Sequence, residues 1–368
     1  MAFRCWLSKR CFFRQLLAAW NELATVLSAL RPLLLSMRTA THPREILLGA
    51  QAAANMLPVC DHYSGVEVRM RKSLELQAQM LHEFGTCVFD VTLDCEDGAA
   101  VGQERVHAQL VASLASDAQA GCRVAARVHA VDHGAFEEDI ATIVGEASHK
   151  LAHIMLPKVE SVDDILKAER ALERASGKHL PLHALIESPA AVQQAFEIAA
   201  HPRVQSLSFG LMDFVSAHAG AIPGAAMGVQ GQFEHPLVVR AKLEIAAACH
   251  AHGKVPSHCV VTEFKDGSAL QLAARKASRE LGYTRMWSIH PAQIRPILAA
   301  FAPATVEVQE AADILVAAAA EDWAPINYNC VLHDRVSYRY YWQLLERAYL
   351  TTMALPQHVR QWFDGYAA

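Results

Sequence analysis

Short apolar runs alternate with longer segments of helical period along this chain, from about residue 50 to residue 290. Apolar runs that end in polar turns are typical of strands buried on both faces. We therefore predict eight strands, at residues 56–60, 87–93, 123–129, 153–156, 182–186, 205–209, 255–260 and 285–289.

The segments between these strands carry the start and stop signals of helices. Ser161 precedes one such segment, with Asp164 three residues later as in a capping box and Gly177 beyond its end. Ser188 and Pro189 provide an N-cap and a first-turn proline for another. Each predicted strand is thus followed by a predicted helix.

Eight strands that alternate with helices predict an α/β fold of the (β/α)8 TIM-barrel type, with a helical C-terminal extension. A doubly wound open sheet is the competing architecture. It usually has a glycine-rich turn after its first strand, and no such turn follows the early strands here. The pattern therefore favours the barrel.

Composition and charge narrow the class of protein. The chain has 368 residues, of which 52% are hydrophobic, and its formal net charge is −5. The high apolar content excludes a disordered chain. The sequence shows no basic face that would indicate a nucleic-acid partner. No apolar stretch is long enough for a transmembrane helix. The nine cysteines form no CxxC pair, which favours a reducing, cytoplasmic location.

The first 36 residues differ from the rest, because they carry five basic residues and one acidic residue. Three interpretations stay open: an over-extended reading frame with Met37 as the true start, an amphipathic extension, and a targeting segment. We therefore expect three regions: a non-core extension at 1–36, a barrel at 37–305, and a C-terminal helical extension or lid at 306–368.

Acidic residues follow two neighbouring predicted strands. Glu187 ends the fifth strand and Asp213 follows the sixth. Catalytic groups of a barrel stand at the carboxyl ends of its strands, so these two carboxylates could converge on one Mg²⁺ ion. The alternative is that each acid caps the helix after its strand.

A basic residue and two acids follow the second and third strands. Arg127 lies at the end of an apolar strand, where its guanidinium could bind a substrate carboxylate. It could also pair with Glu96 or Asp97, which follow the preceding strand. The two interpretations are compatible.

Six segments at these strand ends resemble, in the same order, motifs of one family. LDCEDGAA resembles LDLEDAV, ARVHA resembles VRVN, IMLPKVES resembles ILPKVE, and LIESPAAV resembles IETP. LSFGLMDFV resembles a segment that ends in Glu-Asp-Leu, and SIHPAQI resembles an IHP-Q segment. These motifs belong to citrate lyase β-subunit-like proteins of the HpcH/HpaI aldolase superfamily. The resemblance covers about residues 52 to 350.

The resemblance implies a (β/α)8 barrel that binds Mg²⁺ and cleaves or forms a carbon–carbon bond between a 2-oxo acid and an acyl-CoA thioester. By position, Glu187 and Asp213 resemble the Mg²⁺ ligands, and Glu187 also faces substrate. Arg127 resembles the arginine that binds the substrate carboxylate. Glu96 and Asp97 resemble the acidic pair that organises it.

The resemblance also implies a homotrimer or a hexamer. In some relatives a catalytic aspartate comes from the C-terminal segment of a neighbouring subunit, and Asp334 stands at the matching place. The expected reaction is the cleavage of a 3-hydroxy-3-carboxy acyl thioester, such as citramalyl-, malyl- or citryl-CoA.

The first strand departs from the family pattern, because it lacks an arginine and has Asp61, His62 and Tyr63. Two alternatives therefore stay open. One is a pyruvate-type aldolase that acts on a free hydroxy-oxo-acid. The other is a non-catalytic subunit of a lyase complex.

Overall fold

The computed structural model describes residues 42–49, 56–264 and 266–364. The chain forms two compact units, Met1–Ala52 and Ala53–Ala368. The described part of the first unit is a short helix, α1 (Pro43–Leu48), in which His42 accepts a hydrogen bond from the backbone of Arg44. Residues 1–36, with their three interpretations, lie outside the described residues.

The second unit contains a closed barrel of eight parallel strands. In chain order they are β1 (Cys60–Ser64), β2 (Phe89–Asp94), β3 (Val124–Arg127), β4 (Leu151–Leu156), β5 (Leu182–Ile186), β6 (Val204–Phe209), β7 (Val255–His258) and β8 (Arg285–Ser288). Each strand pairs with the next, and β8 pairs with β1. The predicted (β/α)8 barrel is therefore confirmed, and seven of the predicted strands overlap the observed ones closely.

The position predicted for the first strand is wrong by four residues. The apolar run at 56–60 reaches only the first residue of the strand, which begins at Cys60 and continues through Asp61, His62 and Tyr63. Asp61 points inward, where it accepts a hydrogen bond from Thr92 Oγ1 at 2.7 Å and pairs with Arg285. A rule based on apolar runs misses a strand whose inward side chains are polar.

The barrel interior below the strand ends is polar and includes a buried arginine. Arg285 Nη2 lies 2.6 Å from Asp90 Oδ2 and 2.9 Å from Asp61 Oδ2. Its Nη1 donates to the carbonyl of Pro58 at 2.6 Å. These contacts join β8 to β1 and β2. A buried charge of this kind is tolerated because partners compensate for its lost hydration.

Helices follow the strands and cover the outside of the barrel with apolar faces. They are α2 (Glu67–Phe84), α3 (Glu104–Ser116), α4 (Phe136–Asp139), α5 (Gly145–Ala147), α6 (Val162–Arg174), α7 (Pro189–Gln193), α8 (Ala195–Ala200), α9 (Leu211–Ser216), α10 (Pro236–Ala251), α11 (Gly267–Arg279) and α12 (Ile294–Phe301). A π-helical turn, Ile140–Val144, joins α4 to α5. The predicted capping box of Ser161 and Asp164 is confirmed, as is the Ser188 cap.

The C-terminal segment is helical apart from one hairpin. Its elements are α13 (Thr305–Ala320), β9 (Ile326–Tyr328), β10 (Val331–His333), α14 (Arg335–Leu350) and α15 (Gln357–Arg360). Asn329 and Cys330 form the two-residue hairpin turn, with φ of 49° and 63°. Helix α14 packs against α13 and buries Trp342. Within the described ranges, no helix is both long and apolar enough to cross a membrane.

Candidate active site

Arg127 lies at the end of β3 and is almost completely buried. Its Nε and Nη2 donate to the two carboxylate oxygens of Asp94, both at 2.6 Å. Its Nη1 lies 3.1 Å from Glu96 Oε2 and 4.0 Å from Asp97 Oδ2. The ion pair expected with Glu96 is therefore present, but the main partner is Asp94. Asp94 was not among the site residues predicted from the sequence.

The loop after β2 is folded around the Asp94 carboxylate. Its oxygens accept hydrogen bonds from the backbone of Glu96 at 3.0 Å and of Gly98 at 2.8 Å. A Cβ on Gly98 would lie 2.3 Å from Asp94 Oδ2, so this close approach requires glycine. The DCEDG segment thus fixes the carboxylate that holds Arg127.

Two aromatic rings of the barrel interior lie next to the guanidinium. Arg127 Cζ is 5.2 Å from the centroid of the Tyr63 ring and 5.9 Å from that of Trp287. The Trp287 indole donates to Ser208 Oγ at 3.0 Å. These rings place surface of low polarity next to the guanidinium, which strengthens its interactions with nearby anions. Tyr63 is one of the residues by which the first strand departs from the family pattern.

Glu187 directly follows β5, and its side chain is buried. Its Oε1 accepts a hydrogen bond of 2.6 Å from the backbone of Lys158, a residue with a φ of 52°. Burial, and then the negative charge of Asp213, raise the pKa of Glu187 to about 8. A Cβ on Gly210 would lie 2.4 Å from Glu187 Oε2, so glycine gives this carboxylate its space.

Glu96 and Asp97 follow each other in the chain but have opposite pKa shifts. Burial raises the pKa of Glu96, but Arg127 and the contacting Lys158 ammonium outweigh it, so the net shift is downward. Burial and the charge of Glu96 raise the pKa of Asp97. Pairs of carboxyl groups with opposite shifts are suited to separate acid and base roles. Asp97 is the group that more readily holds a proton.

Glu187 and Asp213 are the described pair best suited to a hard divalent cation. Asp213 lies in the first turn of α9, and its charge acts on Glu187. Two close carboxylates repel each other without a cation, and oxygen donors are the ligands that Mg²⁺ prefers. The convergence of these two carboxylates on one Mg²⁺ ion stays a prediction.

A second group of potential ligands lies deeper in the barrel. Asp61, His153 and His183 each offer one donor atom within 4.8 Å of the others. Nitrogen donors suit transition metals more than Mg²⁺. Arg285 already contacts Asp61, and the two imidazole rings stack with 3.6 Å between their centroids. We assign this group to the polar packing of the interior.

Two cavities border the strand ends. The first, of about 650 Å³, lies beside β1 and β8 and includes the side chains of Arg69, Lys72 and His290. The second, of about 500 Å³, lies beside β2, β3 and β4 and includes Glu96, Asp97, His129, His133 and Lys158. The acidic pair therefore forms a wall of the second cavity.

Asp334 is the predicted site residue that this chain does not bring to the barrel mouth. It is the N-cap of α14, where its Oδ1 accepts hydrogen bonds from the backbone of Val336 at 2.9 Å and of Ser337 at 3.3 Å. It does not line either of the two cavities above. Its role in catalysis stays a prediction that requires a second subunit.

Comparison with known protein families gives a match over residues 74–291 to the HpcH/HpaI aldolase/citrate lyase family. The chain belongs to this family. The matched residues include Asp94, Arg127, Glu187 and Asp213, so the match covers the strand ends described above. The resemblance predicted from six short motifs is confirmed.

Several known proteins are similar to this chain. A solved citrate lyase structure from Burkholderia xenovorans is 50% identical, covers 84% of this chain and 98% of its own, and has a TM-score of 0.72. The L-malyl-CoA/beta-methylmalyl-CoA lyase of Cereibacter sphaeroides is 29% identical over 62% of this chain and 76% of its own length. A (3S)-malyl-CoA thioesterase of the same species is 30% identical over 60% and 71%.

A more distant structure agrees in fold. The CitE protein of Mycobacterium tuberculosis, solved with magnesium, acetoacetate and coenzyme A, is 21% identical and has a TM-score of 0.60. It covers 80% of this chain and 98% of its own. This likeness supports the barrel architecture.

Proposed function

We propose that this protein is a Mg²⁺-dependent carbon–carbon lyase that cleaves a 3-hydroxy-3-carboxy acyl thioester into a 2-oxo acid and a shorter acyl thioester. Citramalyl-, malyl- and citryl-CoA are the candidate substrates. The observation that carries the proposal is the buried Arg127, held by Asp94 and Glu96, together with the buried Glu187 carboxyl, whose pKa the charge of Asp213 raises. The lyases among its relatives support the same chemistry.

Arg127 would bind the carboxylate of the substrate. Its contacts with Asp94 and Glu96 use three of the five N–H donors of a guanidinium. The remaining donors, one on each Nη, form a fork that suits a carboxylate. Because the rings of Tyr63 and Trp287 occupy space next to the guanidinium, the substrate would approach from the open ends of the strands.

Glu187 and Asp213 would hold the Mg²⁺ ion. Two observations support the fit of these residues to Mg²⁺. The buried Glu187 carboxyl has a pKa of about 8, raised in part by the charge of Asp213. Gly210 leaves room for Glu187 Oε2. When bound, the ion would polarise the oxygen that becomes the ketone of the 2-oxo acid.

The proton steps would use the acidic pair and a second subunit. The Glu96–Asp97 pair would accept the proton of the substrate hydroxyl, because these carboxyls adjoin Arg127 and Lys158. Asp334 of a neighbouring subunit would then protonate the enolate carbon. This role requires the proposed homotrimer or hexamer, with the extension at residues 306–368 at the subunit interface.

The first cavity would bind the CoA part of the substrate. Its volume of about 650 Å³ adjoins Tyr63, which contacts Arg127, so it lies next to the proposed substrate carboxylate. Arg69 and Lys72 contribute positive charge near this opening, which suits the phosphates of CoA. The cytoplasmic location predicted from cysteine usage is consistent with such a substrate.

A second candidate reaction is hydrolysis of the same thioester, since a malyl-CoA thioesterase is among the relatives. Product analysis separates the two reactions. Cleavage of malyl-CoA by a lyase gives glyoxylate and acetyl-CoA, whereas hydrolysis gives malate and free CoA. Turnover of a free hydroxy-oxo-acid without CoA would instead indicate an aldolase.

The test is turnover of the three CoA thioesters with and without Mg²⁺, followed by product identification. Glu187→Gln should remove Mg²⁺-dependent turnover while the far-ultraviolet circular dichroism stays unchanged. Glu173→Gln, at an exposed position on α6, is the matched control. Equal turnover in Glu187→Gln and the control would disprove the metal assignment. No turnover by the wild type, with no Mg²⁺ binding, would favour a non-catalytic subunit.

A further inference from the structure

His129 and Asp139 form a tight pair at the edge of the second cavity. His129 Nδ1 lies 2.6 Å from Asp139 Oδ2, and the backbone N–H of His129 donates to the same oxygen at 3.0 Å. His129 is 8% exposed and Asp139 is 1% exposed. The π-helical turn begins directly after Asp139. Both partners are therefore held in fixed positions by the backbone around them.

This contact determines which nitrogen of His129 carries the proton when the ring is neutral. A carboxylate accepts hydrogen bonds, so Nδ1 is the N–H and Nε2 keeps its lone pair. The same arrangement of carboxylate and imidazole prepares the histidine of hydrolytic triads to act as a base. Nε2 of His129 is thus the basic atom at this side of the cavity.

His133 offers the opposite arrangement in the same cavity. Its ring stacks on that of His129, with 4.4 Å between centroids and 12° between planes. Its Nδ1 accepts a hydrogen bond of 3.2 Å from the backbone of Ala135. A neutral His133 therefore carries its proton on Nε2. The two neighbouring rings differ in tautomer, and only His129 has a basic Nε2.

The cavity connects this pair to the proposed proton acceptors of the reaction. Its volume is about 500 Å³, and His129 lines it together with Glu96 and Asp97. The charged or titratable side chains that share the cavity with His129 are Cys95, Glu96, Asp97, Glu104, Asp132, His133 and Lys158. Asp139 faces His129 from α4. Glu96 in turn contacts Arg127, so it stands between the substrate position and the cavity.

We propose that His129, held by Asp139, relays the proton between the Glu96–Asp97 pair and solvent. This inference rests on the proposed lyase function. As the carbon–carbon bond breaks, the hydroxyl oxygen becomes a ketone and its proton moves to the carboxylate pair. The electron pair of the broken bond enters the thioester enolate. His129 Nε2 then takes the proton from the pair and releases it to water in the cavity. His129 is thus a positioning residue that acts through the acidic pair.

The first test measures the tautomers directly and needs no substrate. Nitrogen-15 NMR of the full-length protein, assigned with His129→Gln and His133→Gln, should give an Nδ1–H tautomer for His129 and an Nε2–H tautomer for His133. Asp139→Asn removes the carboxylate that accepts this hydrogen bond and should change the His129 signals. An Nε2–H tautomer for His129 in the wild type would overturn the proposal.

The second test is kinetic and uses CoA thioester cleavage with Mg²⁺. His129→Gln and His129→Ala should lower kcat about 10- to 100-fold, within or below the usual range for proton-transfer groups, and leave KM nearly unchanged. They should also change the pH dependence of kcat. Added imidazole, which the cavity can admit, should restore activity to His129→Ala. His133→Gln should behave as the wild type.

Two outcomes would overturn the relay: His129 variants with wild-type kcat and pH dependence, or a loss that imidazole does not reverse and that His133→Gln shares. A wild-type protein without turnover would refute the proposed function instead. In that case the tautomer of His129 alone decides whether this side chain is a base.

Discussion

Mg²⁺ binding by this protein should release a proton from Glu187. Burial and Asp213 raise the pKa of this carboxyl to about 8 in the metal-free protein. At pH 7 about 90% of Glu187 is therefore protonated, and a metal ligand must be deprotonated. Mg²⁺ binding should release about 0.9 proton at pH 7 and almost none above pH 9.

The pH dependence of the Mg²⁺ affinity follows from the same deprotonation of Glu187. Because protons compete with Mg²⁺ for Glu187, affinity falls as the pH falls below 8. At pH 6, two units below the pKa of Glu187, the affinity should be about 100-fold lower than at high pH. This corresponds to about 2.7 kcal/mol of binding free energy.

Calorimetric titration with Mg²⁺ at pH 6, 7, 8 and 9 measures this effect. At each pH, the titration is repeated in buffers of different ionisation enthalpy. The slope of the apparent binding enthalpy against the ionisation enthalpy of the buffer gives the number of protons released. Glu187→Gln should bind Mg²⁺ weakly and release no proton, whereas Glu173→Gln should match the wild type. Equal affinity at pH 6 and pH 9, without proton release, would refute the assignment of Glu187 as the ligand.

Two further substitutions test the contacts that hold the site. Asp94→Asn removes the carboxylate that accepts two hydrogen bonds from the buried Arg127. We therefore expect the free energy of unfolding by urea to fall by about 3–5 kcal/mol. A loss below about 1 kcal/mol would contradict this. Gly210→Ala places a Cβ 2.4 Å from Glu187 Oε2, so Mg²⁺ affinity should fall at least tenfold. Gly134→Ala, where an added Cβ meets no atom within 4 Å, is the control for Gly210→Ala. Equal Mg²⁺ affinity in both variants would contradict the importance of the close approach of Gly210 to Glu187.

Most of the barrel could be predicted from local sequence because its signals are local. Seven strands coincide with short apolar runs, since both faces of those strands are buried. Ser161 and Ser188 mark helix starts because a cap depends on residues three positions apart. The apolar-run rule does not locate the first strand, because that strand carries the inward charge of Asp61. Arg285, a residue far along the chain, compensates for this charge.

The candidate site was predicted only in part. Arg127, Glu187 and Asp213 were predicted to stand at strand ends, where barrel chemistry concentrates, and they do; their roles stay predictions. Asp94 was missed although it stands in the same motif as Glu96. Its role comes from a contact with Arg127 on the next strand and from the close approach of Gly98, and neither is visible in a linear pattern.

The linear sequence was therefore enough to predict the order of strands and helices, the family, and which charged residues stand at strand ends. These properties depend on apolar periodicity, caps and short motifs, all of which act over a few residues. The folded structure was needed to show which charges are partners, that Glu187 has a raised pKa, and that His129 and His133 hold opposite tautomers. Those properties depend on burial and on hydrogen-bond distances of about 3 Å, which arise when the closed barrel and its loops bring these groups together.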